Sequence, residues 1–145
     1  MTDPLPSPPQ IIISNTTSVT IHFNVEKFIS KILKLKHIEK GSFEFNFISN
    51  ETIMKLHKDY MKKNSATDII TFNLGKENAI IGDVYISVEE ALQNAKTYSN
   101  SFEDEIKLLI VHGILHLLDY KDQNMKDKAI MEQEQDRLLS LADQS

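Results

Sequence analysis

Two histidines four residues apart, His112 and His116, are the residues of this chain whose type and spacing most directly suggest chemistry. They lie in the stretch VHGILHLLDYKDQ (111–123). On a helix, residues four apart differ by about 40° in direction and about 6 Å in rise, so the two imidazoles would project side by side. Imidazoles placed in this way can both bind one Zn²⁺ ion at about 2.0–2.1 Å. The spacing therefore predicts half of a metal site.

The alternative is that both histidines are ordinary core residues whose ring nitrogens bond to other protein groups. The run around them is strongly apolar: Leu108, Leu109, Ile110, Val111, Ile114, Leu115 and Leu117. An unpaired polar group in such surroundings costs about 1–3 kcal/mol, so each ring nitrogen needs a partner. A metal ion at the edge of the core would supply one, and two aspartates that follow closely would supply a carboxylate.

The choice of third ligand lies between Asp119 and Asp122. In a continuous helix, Asp119 would lie about 10.5 Å along the axis from His112, too far for both to bind one ion. Asp122 can reach the ion only if the chain leaves the helix and turns back near residues 118–121. We favour Asp122, which predicts a site with two histidines, one aspartate and a position open to water, as in catalytic zinc sites.

This ligand spacing is also that of the metzincin peptidases, which place a glutamate directly after the first histidine as the general base. Gly113 occupies that position here. Peptide hydrolysis by that mechanism is therefore not expected, although a metallohydrolase acting on another substrate remains an alternative.

Composition narrows the class of protein. A chain of 145 residues without cysteine excludes disulfides and cysteine-bound zinc, and its hydrophobic content of 41% is that of a soluble globular protein. The opening MTDPLPSPPQ has neither the basic nor the apolar region of a secretory signal, so we expect a cytoplasmic protein without a membrane segment. Residues 1–72 carry nine lysines against seven acidic residues, whereas residues 73–145 carry seven basic and fourteen acidic residues. The first half can therefore present a basic face to a polyanion.

The hydrophobic pattern predicts one mixed sheet with helices packed on it, an α/β (α+β) fold with a single core. Strands are expected at 17–23, 43–47, 68–74 and 79–87. About five helices are expected: after Asn24, from about Asn50 toward Tyr60, after the capping box that begins at Ser87, from Phe102 to Leu118, and from about Asn124 to Leu141. We expect a flexible proline-rich segment at 1–10 and one domain at 11–145.

Three motifs resemble those of the YbeY family. HGILHLLDYKD (112–122) is similar to the family signature His-Gly-x-Leu-His-Leu-x-Gly-Tyr-Asp-His. LHKDYMKKNSATDIITF (56–72) is similar to Leu-Asn-x-x-Tyr-Arg-x-Lys-Asp-x-Pro-Thr-Asp-Val-Leu-Ser-Phe, and IIGDVYIS (80–87) to Leu-Gly-Asp-Ile-x-Ile-Ser. The motifs occur in the family's order, and the chain is identified on them as a member over about residues 18–142.

The resemblance implies a mixed four-stranded sheet with several helices and a metal cleft. It implies a zinc-dependent endoribonuclease, specific for single strands, that acts in ribosomal RNA (16S 3′-end) maturation and ribosome quality control and works with the small ribosomal subunit. Its metal ligands would be His112, His116 and Asp122, which together would also be the catalytic residues. Two further pairs, Thr67–Asp68 and Gly82–Asp83, match motif positions beside the cleft, and their alternative role is turn and strand-end architecture.

The chain also departs from the family pattern. Asp122 replaces the third histidine, Asp119 the helix-ending glycine, Lys121 an aspartate, Met61 a cleft arginine and Ala66 a proline. A carboxylate ligand makes zinc a poorer Lewis acid and shifts the site toward harder ions such as Mn²⁺.

Loss of the arginine removes a planar donor for the scissile phosphate, and the adjacent Lys62 and Lys63, with Thr67, are then the candidate RNA-binding residues. The same losses leave open a second hypothesis: a non-catalytic ribosome-associated factor with a decayed nuclease site.

Overall fold

A computed structural model of the chain describes residues 8–61, 67–75 and 79–143. The strands in that part of the chain are β1 (Gln10–Asn15), β2 (Ser42–Ile48), β3 (Ile69–Asn73) and β4 (Ile81–Ser87). The helices are α1 (Val25–Leu35), α2 (Asn50–Met61), α3 (Val88–Thr97), α4 (Phe102–Leu117) and α5 (Met125–Ala142). Within these residues, none of the helices has the length and apolar character needed to span a membrane.

The four strands form one mixed sheet in the order β1-β2-β4-β3. Strands β1, β2 and β4 run parallel, and β3 pairs antiparallel with β4. The predicted fold class, a mixed four-stranded sheet packed with five helices, is confirmed. Phe43, Phe45 and Phe47 alternate along β2 and are fully buried, because this central strand directs one face into the main core.

The expected strand at 17–23 is wrong. That segment forms no strand, and the first strand of the described residues is instead β1, which begins at Gln10 and takes the sheet edge beside β2. Val19, Ile21 and Phe23 are still partly buried against the core, while Thr20 and His22 are exposed. The alternation therefore predicted correctly which side chains face the core. It does not predict whether the backbone pairs with another strand.

Side chains at the helix starts explain why the helices begin where they do. Asn24 Oδ1 accepts a hydrogen bond from the backbone N–H of Lys27 at 3.0 Å, and Ser87 Oγ accepts one from that of Glu90 at 3.2 Å. Asn124 caps α5 in the same way. Such caps satisfy N–H groups that have no partner within the helix, and all three starts agree with the expected ones.

Two glycines let α4 lie close against the sheet. A Cβ atom on Gly113 would lie 3.0 Å from Ile69 Cδ1, and one on Gly82 in β4 would lie 2.5 Å from Leu117 Cδ1. Close packing therefore accounts for Gly82 without a catalytic role. Because Gly113 faces the sheet, the flank of α4 that carries His112 and His116 is turned toward α5 and the segment after α4.

Candidate metal centre

Helix α4 ends in a left-handed turn. Asp119 has a φ of 69°, its N–H donates to His116 O at 3.0 Å, and the N–H of Tyr120 donates to Leu115 O at 3.0 Å. This pair of bonds is the Schellman motif, in which the left-handed position is usually glycine. The chain thus reverses at residues 118–121, as the choice of Asp122 required, and it does so with an aspartate in the position normally taken by glycine.

Asp119→Gly is expected to raise the free energy of unfolding by about 0.5–1 kcal/mol. A left-handed conformation costs a residue with a Cβ atom about 1–2 kcal/mol, and glycine avoids this cost. The greater conformational freedom of glycine in the unfolded chain offsets about 0.5–1 kcal/mol of the gain. Asp119→Ala is the matched control and should lower stability, since alanine has the Cβ without the polar side chain that eases this conformation. Urea unfolding measures both, and a glycine variant less stable than the parent would contradict the prediction.

The reversal brings Asp122 back to the two histidines. His112 Nε2 and His116 Nε2 lie 3.0 Å apart, and His116 Nε2 lies 3.6 Å from Asp122 Oδ2. The three ligand atoms all lie within 4.8 Å of one another. Ligands at about 2.0–2.1 Å from a tetrahedral ion are about 3.4 Å apart, so this donor set fits a divalent metal. Asp119 belongs to no metal-capable cluster in the described residues.

A buried glutamine determines the state of His112. The ring nitrogen Nδ1 lies 3.3 Å from Gln135 Oε1. Because an amide oxygen can only accept, Nδ1 carries the proton and Nε2 keeps its lone pair free for a metal. Burial lowers the pKa of His112, the neighbouring His116 lowers it further, and Gln135 and the carboxylates of Asp68 and Asp122 oppose the shift. The imidazole is therefore held in the neutral form that binds metals.

Gln135 is a site residue that the sequence reasoning missed. It lies on α5, where the buried residues are Met131, Gln135, Leu138 and Ala142. These positions follow the helical spacing of an apolar face, and one of them is polar. A glutamine on an otherwise apolar stripe is the signal that would have drawn attention to it.

The segment that carries Asp122 is held by contacts from two helices. Lys36, the residue directly after α1, donates to Tyr120 Oη at 2.8 Å and pairs with Glu134 of α5 at 2.5 Å. Tyr120 Oη donates to Glu134 at 3.4 Å. The hydrogen bond from Arg137, together with that from Lys36, lowers the pKa of Glu134 to about 2 although burial opposes the shift. We call Lys36, Tyr120 and Glu134 the turn anchor.

A cleft of about 480 Å³ opens beside the ligands and is lined in part by His112, Asp122 and Gln135. Asp68, predicted from the Thr-Asp pair, also lines it and accepts a hydrogen bond from Asn94 Nδ2 at 3.1 Å. Thr67 is half-buried two residues before β3 begins and does not itself line the cleft.

The candidate RNA-binding lysines, Lys62 and Lys63, lie outside the described residues, as does Ala66. Their placement therefore stays a prediction. Met61, which stands where the family pattern has an arginine, is the last residue of α2.

Comparisons with known proteins agree with this architecture. A family model described as "Endoribonuclease YbeY" matches residues 11–143. The protein of that name from Flavobacterium johnsoniae is 32% identical over 114 residues, covering 79% of this chain and 82% of the relative. Its counterpart from Chloroherpeton thalassium is 32% identical over 131 residues, covering 90% and 93%. Among solved structures, the solution structure of TM1509 from Thermotoga maritima matches with a TM-score of 0.70 and 25% identity over 92% of this chain and 89% of that one.

Proposed function

The chain belongs to the YbeY family of endoribonucleases, and from this premise we propose that it hydrolyses single-stranded RNA at a divalent metal ion held by His112, His116 and Asp122. The observation that carries the proposal is the convergence of these three ligand atoms within 4.8 Å at the margin of an open cleft. Family membership makes the protein a hydrolase of RNA and so favours the nuclease over a non-catalytic ribosome-associated factor.

The chemistry that a divalent ion supplies at such a site is activation of water and polarisation of a phosphoryl oxygen. The chain's own contribution is to prepare the ligands. Gln135 fixes the His112 tautomer, the last turn of α4 holds His116 beside it, and the Schellman turn presents the Asp122 carboxylate. The Asp122 side chain is 50% exposed, which leaves the open side of the site accessible to an RNA chain.

The carboxylate of Asp122 influences which metal ion the site prefers. Two imidazoles and one carboxylate form a donor set that catalytic zinc uses. The carboxylate oxygen also accommodates harder ions, so Zn²⁺ is the proposed ion and Mn²⁺ the alternative. The negative charge of Asp122 makes the bound ion a weaker acid than a third histidine would, and we therefore expect a slower enzyme than a member with three histidines.

The proposed biological substrate is ribosomal RNA at the 3′ end of the 16S molecule, processed in the cytoplasm in contact with the small ribosomal subunit. The motif resemblance supports this role and a second role in ribosome quality control. Lys62, Lys63 and Thr67 are the proposed contacts to the RNA, since cationic side chains and a hydroxyl are the usual partners of phosphate oxygens. These residues follow the end of α2 and precede β3.

The test is cleavage of an end-labelled single strand and of the same strand in a duplex. We expect the single strand to be cut, the duplex to be spared, a chelator to stop the reaction, and Zn²⁺ or Mn²⁺ to restore it. A His112→Ala, His116→Ala double variant, purified in parallel, controls for contaminating nuclease. Undiminished cleavage by that variant would contradict the mechanism, and equal cutting of the duplex would contradict the strand specificity.

A further inference from the structure

Glu105 is a buried carboxyl group that the proposed metal chemistry does not use. Its side chain lies on α4, seven residues before His112, and the residue is 3% exposed. Seven residues are close to two helical turns, so both side chains lie on the same face of α4. Both line the cleft beside the metal ligands.

One atom of this buried carboxyl group stands out. The side-chain amides of Asn94 and Asn100 lie near enough to the Glu105 carboxyl group to lower its pKa, against the larger effect of burial. Oε2 nevertheless has no hydrogen-bond partner among the described residues. Burial raises the pKa of Glu105, and the charge of Asp68 raises it further. A buried polar atom without a partner is rare in folded proteins and calls for a ligand or another explanation.

The lining of the cleft determines what could bind beside Glu105. Leu108, Leu109 and Met131 supply apolar walls, and the ring of Tyr98, which is 69% exposed, stands at the rim. Apolar walls, an aromatic ring and a few hydrogen-bonding groups are the features by which proteins hold an unstacked RNA base. A volume of about 480 Å³ falls within the range of small-molecule sites, about 300–1,000 Å³.

The charges of the cleft exclude phosphate as the occupant. Its described lining includes four acidic residues and one lysine: Asp68, Glu105, Asp122, Glu132 and Lys128. Negative side chains repel a phosphate, whereas they accept hydrogen bonds from the N–H groups of a base. A base therefore fits the cleft, and the phosphate is left to the neighbouring metal ligands.

We propose that this cleft binds the base of a nucleotide next to the scissile phosphate, and that Glu105 Oε2 accepts a hydrogen bond from the exocyclic amino group of that base. This inference rests on the proposed function, because His112 borders both the metal site and the cleft. Adenine, cytosine and guanine carry such an amino group and uracil does not. The cleft thus gives the nuclease a preference for where it cuts.

Glu105→Gln is the informative substitution because the neighbouring amides determine how a glutamine would lie. Asn94 and Asn100 offer N–H donors, which will select the glutamine oxygen and leave its NH₂ group at the place of Oε2. A donor would then face the amino group of the base. Glu132→Gln is the matched control, since it removes the same charge from an exposed position lining the same cleft.

The first measurement is binding of nucleosides to the metal-free full chain, followed by NMR at the Met131 methyl group. Adenosine and purine riboside differ only in the amino group. We expect the parent to bind adenosine about tenfold more tightly, the value of one hydrogen bond between well-placed partners. Glu105→Gln should abolish this difference and Glu132→Gln should keep it, with circular dichroism verifying that both variants are folded.

The second measurement is the cutting rate on RNA oligomers that carry adenine or unsubstituted purine beside the cleavage position, with the same preference expected. Equal binding of the two nucleosides by the parent, no binding of either, or a preference that survives Glu105→Gln would each overturn the inference. Metal-dependent cutting without any base preference would overturn the base site and leave the proposed nuclease standing. A base preference in binding, without any cutting, would instead contradict the proposed nuclease and leave the base site standing.

Discussion

Asp122→Ala is expected to strip the purified protein of its divalent metal ion, whereas the parent and Asp122→His each retain about one equivalent. Removing the carboxylate leaves two imidazoles, and a catalytic site of this kind needs three protein ligands. A histidine at the same position restores a third ligand. Elemental analysis measures the metal content. The rate of RNA cleavage by Asp122→Ala should fall by more than about 10–100-fold, which is the loss typical of removing a residue that only hydrogen-bonds to a metal ligand.

Asp119→Asn is the matched control for this series. It removes a carboxylate from the same turn, keeps a side chain that tolerates the left-handed conformation, and leaves the cluster of His112, His116 and Asp122 unchanged. Its metal content should equal that of the parent. A parent without metal, with metal appearing only in Asp122→His, would show that the third ligand of this chain has been lost.

Gln135→Leu is expected to weaken metal binding by about 10–100-fold while the protein stays folded. The amide oxygen holds the proton on His112 Nδ1, and without it the ring can take the other tautomer or rotate away from the ion. Leucine is apolar and of similar size, so it fits the buried face of α5 beside Met131 and Leu138. Competition with a chromogenic chelator measures the affinity.

Gln133→Leu provides the comparison because it makes the same change at an exposed position of the same helix. Gln135→Glu should keep most of the affinity, since a carboxylate oxygen also accepts the proton of Nδ1. If Gln135→Leu bound metal as tightly as Gln133→Leu, the orientation of His112 would not depend on this hydrogen bond.

The site residues that could be predicted from sequence lie close together in the chain. His112, His116 and Asp122 lie within eleven residues, and helix geometry alone decides that Asp119 cannot join them without a turn. The three aligned motifs supplied the family. Gln135 was missed because its contact with His112 spans 23 residues and two helices, and no local rule links them.

The expected strand at 17–23 failed for the related reason that pairing is not local. A period of two reports burial on one side of an extended segment, and Val19 and Ile21 are indeed packed inward. Which extended segment joins the sheet is decided by β2, whose free edge is taken by Gln10–Asn15. In the same way, the cleft around Glu105 draws its lining from separate parts of the chain, and the residues beside Glu105 in sequence do not reveal it.

The turn anchor has a consequence for how fast an ion can leave. His112 and His116 belong to α4, whose neighbouring side chains are fully buried, so these two ligands are released only when the core opens. Asp122 lies on an exposed segment that the half-buried side chains of Lys36, Tyr120 and Glu134 connect to the end of α1 and to α5. Swinging that segment outward costs far less than unfolding α4. An ion held by these ligands would therefore leave by opening of the turn anchor, and one ion could exchange for another while the rest of the molecule remained folded.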